Sequence, residues 1–479
     1  MQINNATKFY IGGKWVSPSD PKYMPVINPA TEEVCGKIAL GNSSDVELAV
    51  NAARKAFETW GTSTPSDRIG LMEKVLELYK SRIDEVAEAI CLEMGAPMNV
   101  ARDTQAEMGV VHLTAAIKGL KAYEFSKMRG TTQIALEPIG VCSLITPWNW
   151  PINQVACKVA PALATGCTMV LKPAEIAPLS TIIWTEILDD AGVPAGVFNL
   201  VNGTGLDVGV PMSTHPDVDM VSFTGSTRAG VEIARNAASG VKRVHQELGG
   251  KSANIVLPDA ELEAAVTHCV RAVALNSGQN CDAPTRLLVP ADRLDEVELI
   301  ATRVGAGISI GAGEQNVDMG PVISQSQWQN IQDLIQSGID SGAKLLVGGV
   351  GKPDGFDKGH FVQYTIFSRA TNNMRIAQEE IFGPVLTIIP YDSVDEAVQI
   401  ANDTPYGLAS YISGTDKAVI KSIIPRLRSG KVVVNRVSPD PMAPFGGYKQ
   451  SGNGREWGDY AFHDFLEIKA VHGYPEEML

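Results

Sequence analysis

The chain has 479 residues, 44% hydrophobic and 20% charged, with a formal net charge of −14. That size and balance describe a globular protein of two or three domains. The acidity argues against nucleic-acid partners and against adhesion to anionic membranes, and no run approaches the ~18 apolar residues of a membrane span.

The N-terminal stretch "MQINNATKFYIGGKW" has no basic region followed by an apolar core, so no signal peptide is expected. Residues 44 to 120 read as helices. Ser44 and Glu47 have capping-box spacing ahead of Val46, Ala49, Val50, Ala53 and Phe57, which share one helical face. Ser66 is the expected cap of a second helix carrying Leu71, Val75, Leu78 and Tyr79. "GTTQIALEPIG" (130–140) and the tail "FLEIKAVHGYP" (465–475) read as strands outside the main rhythm. Exposed strand edges invite pairing with another chain, so both are taken as an assembly element.

From residue 140 short apolar runs alternate with helical segments: "GVCSLIT", "TMVLKP", "VFNLVNG", "MVSFTGS". After about residue 252 the rhythm resumes with "SANIVLP", "TRLLVP", "AKLLVGG", "GPVLTIIPY" and "KVVVNRV". This is the pattern of two doubly wound, parallel α/β domains joined near "ELGGKS". The segments expected are 1–122 with 141–250 for the first domain, 251–450 for the second, and 123–140 with 460–479 for the assembly strands. The seven cysteines are scattered without zinc spacing, so no metal site is expected and the thiols suit a reducing cytoplasm.

Several short stretches can carry chemistry. "FTGSTRAG" (223–230) follows a strand and opens a helix, so Gly225 and Ser226 can meet a phosphate there. "NGTGLDVG" (202–209), with Gly205, is one residue too long for the dinucleotide fingerprint; each of these two is as readily a plain turn. "LKPAE" (171–175) puts Lys172 and Glu175 at the carboxyl edge of a sheet, where open α/β sheets bind ligands. Glu175 there can accept from ribose hydroxyls and repel a 2′-phosphate, against the plainer reading of a solvated pair. "ITPWNWP" (145–151) holds Asn149 between Trp148 and Trp150, with Pro147 and Pro151 stiffening the turn; an amide between apolar walls suits a developing oxyanion. "QELGGK" places Glu247 before two glycines, and "GQNCDAP" sets Cys281 in a polar turn between Asn280 and Asp282, where a packing cysteine would be out of place.

Together with "EEIFGPV" (379–385) and "PFGGYKQSGNGRE" (444–456), these motifs occur in the order found in the NAD(P)-dependent aldehyde dehydrogenases, which the chain resembles over nearly its whole length. The resemblance implies two Rossmann-like domains, cofactor-binding and catalytic, plus a small β oligomerisation element in a homodimer or homotetramer. It implies Cys281 as nucleophile, Glu247 as general base and Asn149 as oxyanion donor beside the Cys281 backbone N–H. Lys158 and Glu456 match a proton path around the base. NAD would be held by Thr146, Pro147, Trp148, Lys172, Glu175, Gly205, Gly225, Ser226, Glu380 and Phe382, with NADP a weaker alternative.

A carbonyl carbon has no electron pair with which to expel hydride; thiolate addition creates one, and water then resolves the thioester. That chemistry needs a favoured thiolate, so the Asp282 carboxylate is expected to point away from the sulfur. The substrate wall would include Trp150, Asn153, Gln154, Cys157, Asn280, Asp282 and Phe445. Relatives acting on succinate semialdehyde or betaine aldehyde often carry Arg or Trp at the Cys157 position, so both substrates are disfavoured. Polar Asn153 and Gln154 point instead to a medium-sized or aromatic aldehyde bearing a polar group. Three alternatives stand beside this: a coenzyme A-acylating relative, which would generally lack Glu247; an inactive binding protein on the same scaffold; and a thiol redox sensor, for which Cys157 or Cys269 would have to resolve Cys281.

Overall fold

The computed structural model describes residues 3–474; residues 1–2 and 475–479, the outer ends of the expected segments 1–122, 465–475 and 460–479, lie outside the described residues. The first sheet has eight strands in the order Gly452–Asn453, Arg243–Glu247, Met220–Thr224, Val141–Ile145, Thr168–Lys172, Phe198–Leu200, Phe9–Ile11, Lys14–Val16. The strands from Arg243–Glu247 to Phe198–Leu200 are parallel, and both edges are closed by antiparallel strands. Successive side chains enter opposite core layers: Val141 and Ile145 one, Cys142 and Leu144 the other. A strand buried on both faces reads as a continuous apolar run, which is why these strands stand out in the sequence.

The second sheet runs Lys344–Val347, Thr365–Ser368, Val385–Tyr391, Arg286–Pro290, Ala253–Val256, Ala409–Ser413, Lys431–Val434, parallel except for the first. The expected α/β architecture is present. A third, antiparallel sheet joins Leu466–His472 to Thr132–Pro138 and Ser126–Arg129. The two stretches set apart in the sequence therefore pair with each other within the chain. Among the described residues no helix is long and apolar enough to cross a membrane.

Local details depart from expectation at the helix starts. The first helix, Ser43–Trp60, is capped by Asn42 and Asp45, not by Ser44 and Glu47; the shorter acid at the third position reaches back to the Asn42 N–H. The second, Pro65–Ser81, is capped by Thr64 with Asp67 rather than by Ser66, since Pro65 takes the first helical position. Its buried face is Arg68, Met72, Val75 and Tyr79. The hairpin Lys22–Ile27 with Val34–Leu40, the edge strands Phe9–Ile11 and Lys14–Val16, and the strands Ser126–Arg129, Thr365–Ser368 and Ala409–Ser413 were not anticipated; most are too short or too mixed in polarity to signal themselves.

Candidate active site

In the first sheet the strand order reverses between Val141–Ile145 and Met220–Thr224: the chain winds outward one way through Thr168–Lys172 and the other through Arg243–Glu247. Crevices form beyond the carboxyl ends of strands at such a reversal. Here the residues following three of those strands, Pro147 to Asn149, Gly225 to Ser226 and Glu247 to Gly249, line one cleft of about 450 Å³. Its other wall comes from the amino-terminal side of second-sheet strands: Cys281 ahead of Arg286–Pro290, and Glu380 to Phe382 ahead of Val385–Tyr391. The site is thus a seam between the two sheets.

The loop carrying Cys281 is held in an unfavourable conformation. Asn276, Ser277 and Gly278 all have positive φ, at 53°, 56° and 71°. Left-handed backbone at non-glycine residues persists only where surroundings over-determine it. Gln105 Nε2 donates to Asn276 Oδ1 at 2.9 Å, Asn276 Nδ2 to the Asn149 carbonyl at 2.8 Å, and Ser277 Oγ to the Gly320 carbonyl at 2.7 Å. Asn149 Nδ2 donates to the Gln279 carbonyl at 3.1 Å. An amide nitrogen has two hydrogens, so one remains for an oxygen in the cleft. Gly250 permits the close approach of the loop: a Cβ there would lie 2.2 Å from the Cys281 carbonyl oxygen.

Cys281 is half-buried. Burial pushes its thiol well above the usual range; the carboxylates of Asp282, Glu247 and Glu380 push the same way, against Lys431. Burial, the largest of these effects, and the three acids work against the favoured thiolate expected from sequence, and Lys431 works for it. The Asp282 carboxylate is engaged by Lys431 Nζ and, at 3.5 Å, by the Tyr411 hydroxyl, rather than by the sulfur. Lys431 also sits 5.1 Å over the Phe445 ring.

Glu247 is buried, and burial raises its carboxyl well above the ordinary range; Glu456 adds to the rise, while Lys158 and Arg455 oppose it. Behind it Lys158 Nζ donates to Glu456 Oε1 at 2.5 Å, with both side chains buried. The strand pairing Glu247 with Gly452 brings "GNGRE" alongside the base.

Of the groups expected to hold a dinucleotide, Pro147, Trp148, Gly225, Ser226, Glu380 and Phe382 line the cleft. Ser226 caps the helix Thr227–Ala238, whose N-terminus suits a phosphate. Trp148 and Phe382 meet edge to face at 5.3 Å. Glu380 accepts from the Gly250 N–H at 2.9 Å through Oε1, leaving Oε2 free; burial pushes its carboxyl up to about 7. Lys172 Nζ donates to the Pro173 carbonyl at 3.0 Å and to Glu175 at 3.1 Å, at the end of its strand. The hydroxyls of Thr146 and Thr224 are buried without a partner. Orphaned donors, a helix start and a ribose-ready carboxylate around one crevice fit a bound dinucleotide.

Ten sequence-derived candidates line the cleft directly: Pro147, Trp148, Asn149, Gln154, Gly225, Ser226, Glu247, Cys281, Glu380 and Phe382. Thr146, Lys172, Glu175, Gly205, Trp150, Asn280, Asp282 and Phe445 lie off that lining. Of the expected substrate wall, Asn153 and Cys157 turn elsewhere: the Asn153 Oδ1 pairs with His112 Nε2 at 2.7 Å, and the Cys157 thiol donates to Glu456 Oε2 at 3.2 Å. Gln154 and Trp150 each keep a buried polar atom, Oε1 and Nε1, without a partner. Thr224, Gln327 and Arg375 were missed by sequence reasoning; Gln327 and Arg375 come from helical segments with no motif. His245, Ser222 and Lys431 beside the site were missed too: Ser222 and His245 sit in the middle of their strands and Lys431 at the start of its own, none of them in a motif.

The aldehyde dehydrogenase family model matches residues 15–471. A 3-succinoylsemialdehyde-pyridine dehydrogenase from a Pseudomonas species is 53% identical over 98% of both chains. A putative aldehyde dehydrogenase from Staphylococcus epidermidis is 46% identical, covering 98% of this chain and 100% of its own. Among solved structures, a mutant of aldehyde dehydrogenase C from Pseudomonas syringae, in complex with NAD+ and octanal, superposes with a TM-score of 0.98 at 49% identity over 99% of this chain and 98% of the other. The enzyme from Bartonella henselae gives 0.96 at 48% identity over 97% and 99%.

Proposed function

The chain belongs to the aldehyde dehydrogenase family, and we propose that it oxidises an aldehyde to the carboxylic acid with NAD through a thioester on Cys281 that Glu247 resolves with water. The observation that carries this reading is a nucleophilic thiol, a buried carboxyl and an amide donor on one cleft. Sγ of Cys281 gives up its proton to solvent water and adds as thiolate to the carbonyl carbon, whose π electrons move to oxygen as the oxyanion forms. The oxyanion accepts from the remaining Asn149 N–H and from the Cys281 backbone N–H, a kind of contact worth ~10²–10³ in rate. NAD, when bound, supplies the hydride acceptor and a positively charged ring. Glu247 then takes a proton from water, hydroxide adds to the thioester carbon, and the C–S bond breaks to return the thiolate. Glu175 and Lys172 would hold the adenosine ribose, Gly225 and Ser226 the pyrophosphate, and Glu380 the nicotinamide ribose. Phe382 and Trp148, which line the cleft, would pack beside the ring, and Thr146 and Gly205 would complete the cofactor's surroundings.

The segments 1–122 with 141–250 serve as the cofactor domain, 251–450 as the catalytic domain, and 123–140 with 460–479 as assembly strands of a homodimer or homotetramer in the cytoplasm. The substrate is a medium-sized or aromatic aldehyde with a polar group. The unpartnered atoms of Gln154 and Trp150 support this, as does the pyridine semialdehyde in the name of the 53% relative. The octanal complex marks the competing preference, a plain aliphatic chain.

The test follows reduced nicotinamide with NAD and a panel from hexanal to hydroxylated and heteroaromatic aldehydes. Turnover without coenzyme A, lost in Cys281→Ala and limited to at most one burst in Glu247→Gln, is the expected outcome. Turnover only with coenzyme A overturns the hydrolytic step, and equal rates on hexanal and the polar members overturn the substrate class.

A further inference from the structure

The general base is left with an unmet electrostatic need. Both carboxyl oxygens of Glu247 are buried without a hydrogen-bond partner, and so is Nε2 of His245, 3.8 Å from Oε1. His245 is itself buried, two residues earlier on the same strand. Orphaned polar atoms are rare in folded proteins, and three converging on one gap mark a contact waiting to close.

The other side of the imidazole fixes which nitrogen carries its proton. Lys158 Nζ donates to Ser222 Oγ at 3.2 Å, and an ammonium has no acceptor to offer in return. Ser222 must therefore direct its own hydrogen elsewhere, and His245 Nδ1 lies 3.0 Å away. With Nδ1 accepting, the neutral ring carries its hydrogen on Nε2, facing Glu247. Burial keeps the ring neutral by lowering its affinity for a second proton. Gly454 packs closely against the ring: a Cβ there would lie 2.2 Å from His245 Cδ2.

We propose that His245 is a positioning residue for the general base: its Nε2–H, set by Lys158 through Ser222, closes onto Oε1 of Glu247 and holds the ionised carboxylate toward the hydrolytic water. No covalent step is added; the donor strengthens the base form that the water's proton must reach. The charged and titratable groups around this pair are Glu456, Lys158, Arg455 and Asp464, with Cys281 and Cys157 beyond Glu247. The inference rests on the hydrolytic reading above.

The experiment is stopped-flow NADH formation by the full-length enzyme with NAD and its best aldehyde, from pH 6 to 10, for wild type, His245→Leu, His245→Gln and Ser222→Ala. The burst reports hydride transfer; the steady state reports thioester hydrolysis. In His245→Leu the steady-state rate should fall ~10-fold at neutral pH, and its acid limb should move up by ~1 pH unit, because a carboxylate deprived of a donor binds its proton more tightly. The burst rate should stay within ~3-fold, since that step does not need the base to reach water. His245→Gln, which keeps an N–H, should recover most of the loss, and Ser222→Ala should move the limb the same way by less. An unmoved acid limb in His245→Leu overturns the proposal, as does a glutamine variant no better than leucine. Absence of turnover in wild type overturns the function and this inference together; wild-type turnover with unchanged variants overturns this inference alone.

Discussion

Beside the nucleophile, a single lysine is set against three acids. Asp282 adjoins Cys281 in sequence, and Lys431, by pairing with it, keeps that charge from acting at full strength on the thiol. Replacing Lys431 with Met should make the thiol harder to ionise. Iodoacetamide captures the thiolate, so capture of Cys281 at pH 7 should slow by roughly tenfold if the thiol's pKa rises by one. The double variant Lys431→Met/Asp282→Asn should restore the rate; a double variant as slow as the single would place Lys431's effect in packing. Glu380 gives a pH dependence of its own. Its carboxyl, lifted to about 7 by burial, loses its charge progressively as pH falls through that value. A carboxylate accepts ribose hydroxyls better than the acid does, so NAD affinity by titration calorimetry should weaken as pH falls through 7, and Glu380→Gln should flatten the curve. Cofactor choice is read the same way: Glu175→Ala should reduce the NAD over NADP preference in kcat/KM, and an unchanged ratio would remove Glu175 from the ribose site.

Individual elements explain how much could be read in advance. The sheet strands that could be read in advance were those whose burial on both faces writes an uninterrupted apolar run, as in "TMVLK" and "RLLVP"; Thr365–Ser368 and Ala409–Ser413, with polar residues in the run, were not. The site motifs were legible because glycine is required where backbones nearly touch. At Gly249 a Cβ would lie 2.3 Å from Glu380 Oε2, and at Gly250 it would meet the nucleophile's own carbonyl. Gly250→Ala should therefore abolish turnover while leaving far-ultraviolet circular dichroism intact. What stayed hidden depends on side chains meeting across the fold: Lys431 and Asp282 are 149 residues apart, Ser222 and His245 come from neighbouring strands, and no local spacing encodes either pair. The two helix caps were each misread by two residues because Asn42 and Thr64 outcompete the serines that follow them. Thr64→Ala should cost ~1 kcal/mol of stability in urea titration.

At the scale of the whole molecule, the third sheet ends in Leu466–His472, which among the described residues pairs only with Thr132–Pro138 and leaves Ile468 73% exposed. An open strand edge with an apolar residue is a pairing surface. If chains assemble there, Ile468→Lys should lower the mass measured by light scattering, and an unchanged mass would place the interface elsewhere. The cleft has a further consequence, in time rather than in space. Its walls come from stretches of chain as far apart as Pro147 and Phe382, and the left-handed turn of the nucleophile's loop is held in part by Gln105, Asn149 and Gly320, contributed by distant segments. Each sheet can form from its own neighbours, but such long-range closure comes late. On refolding from denaturant, helical signal should return first and Cys281 should acquire its native alkylation rate only afterwards, so that the enzyme looks folded before it can work.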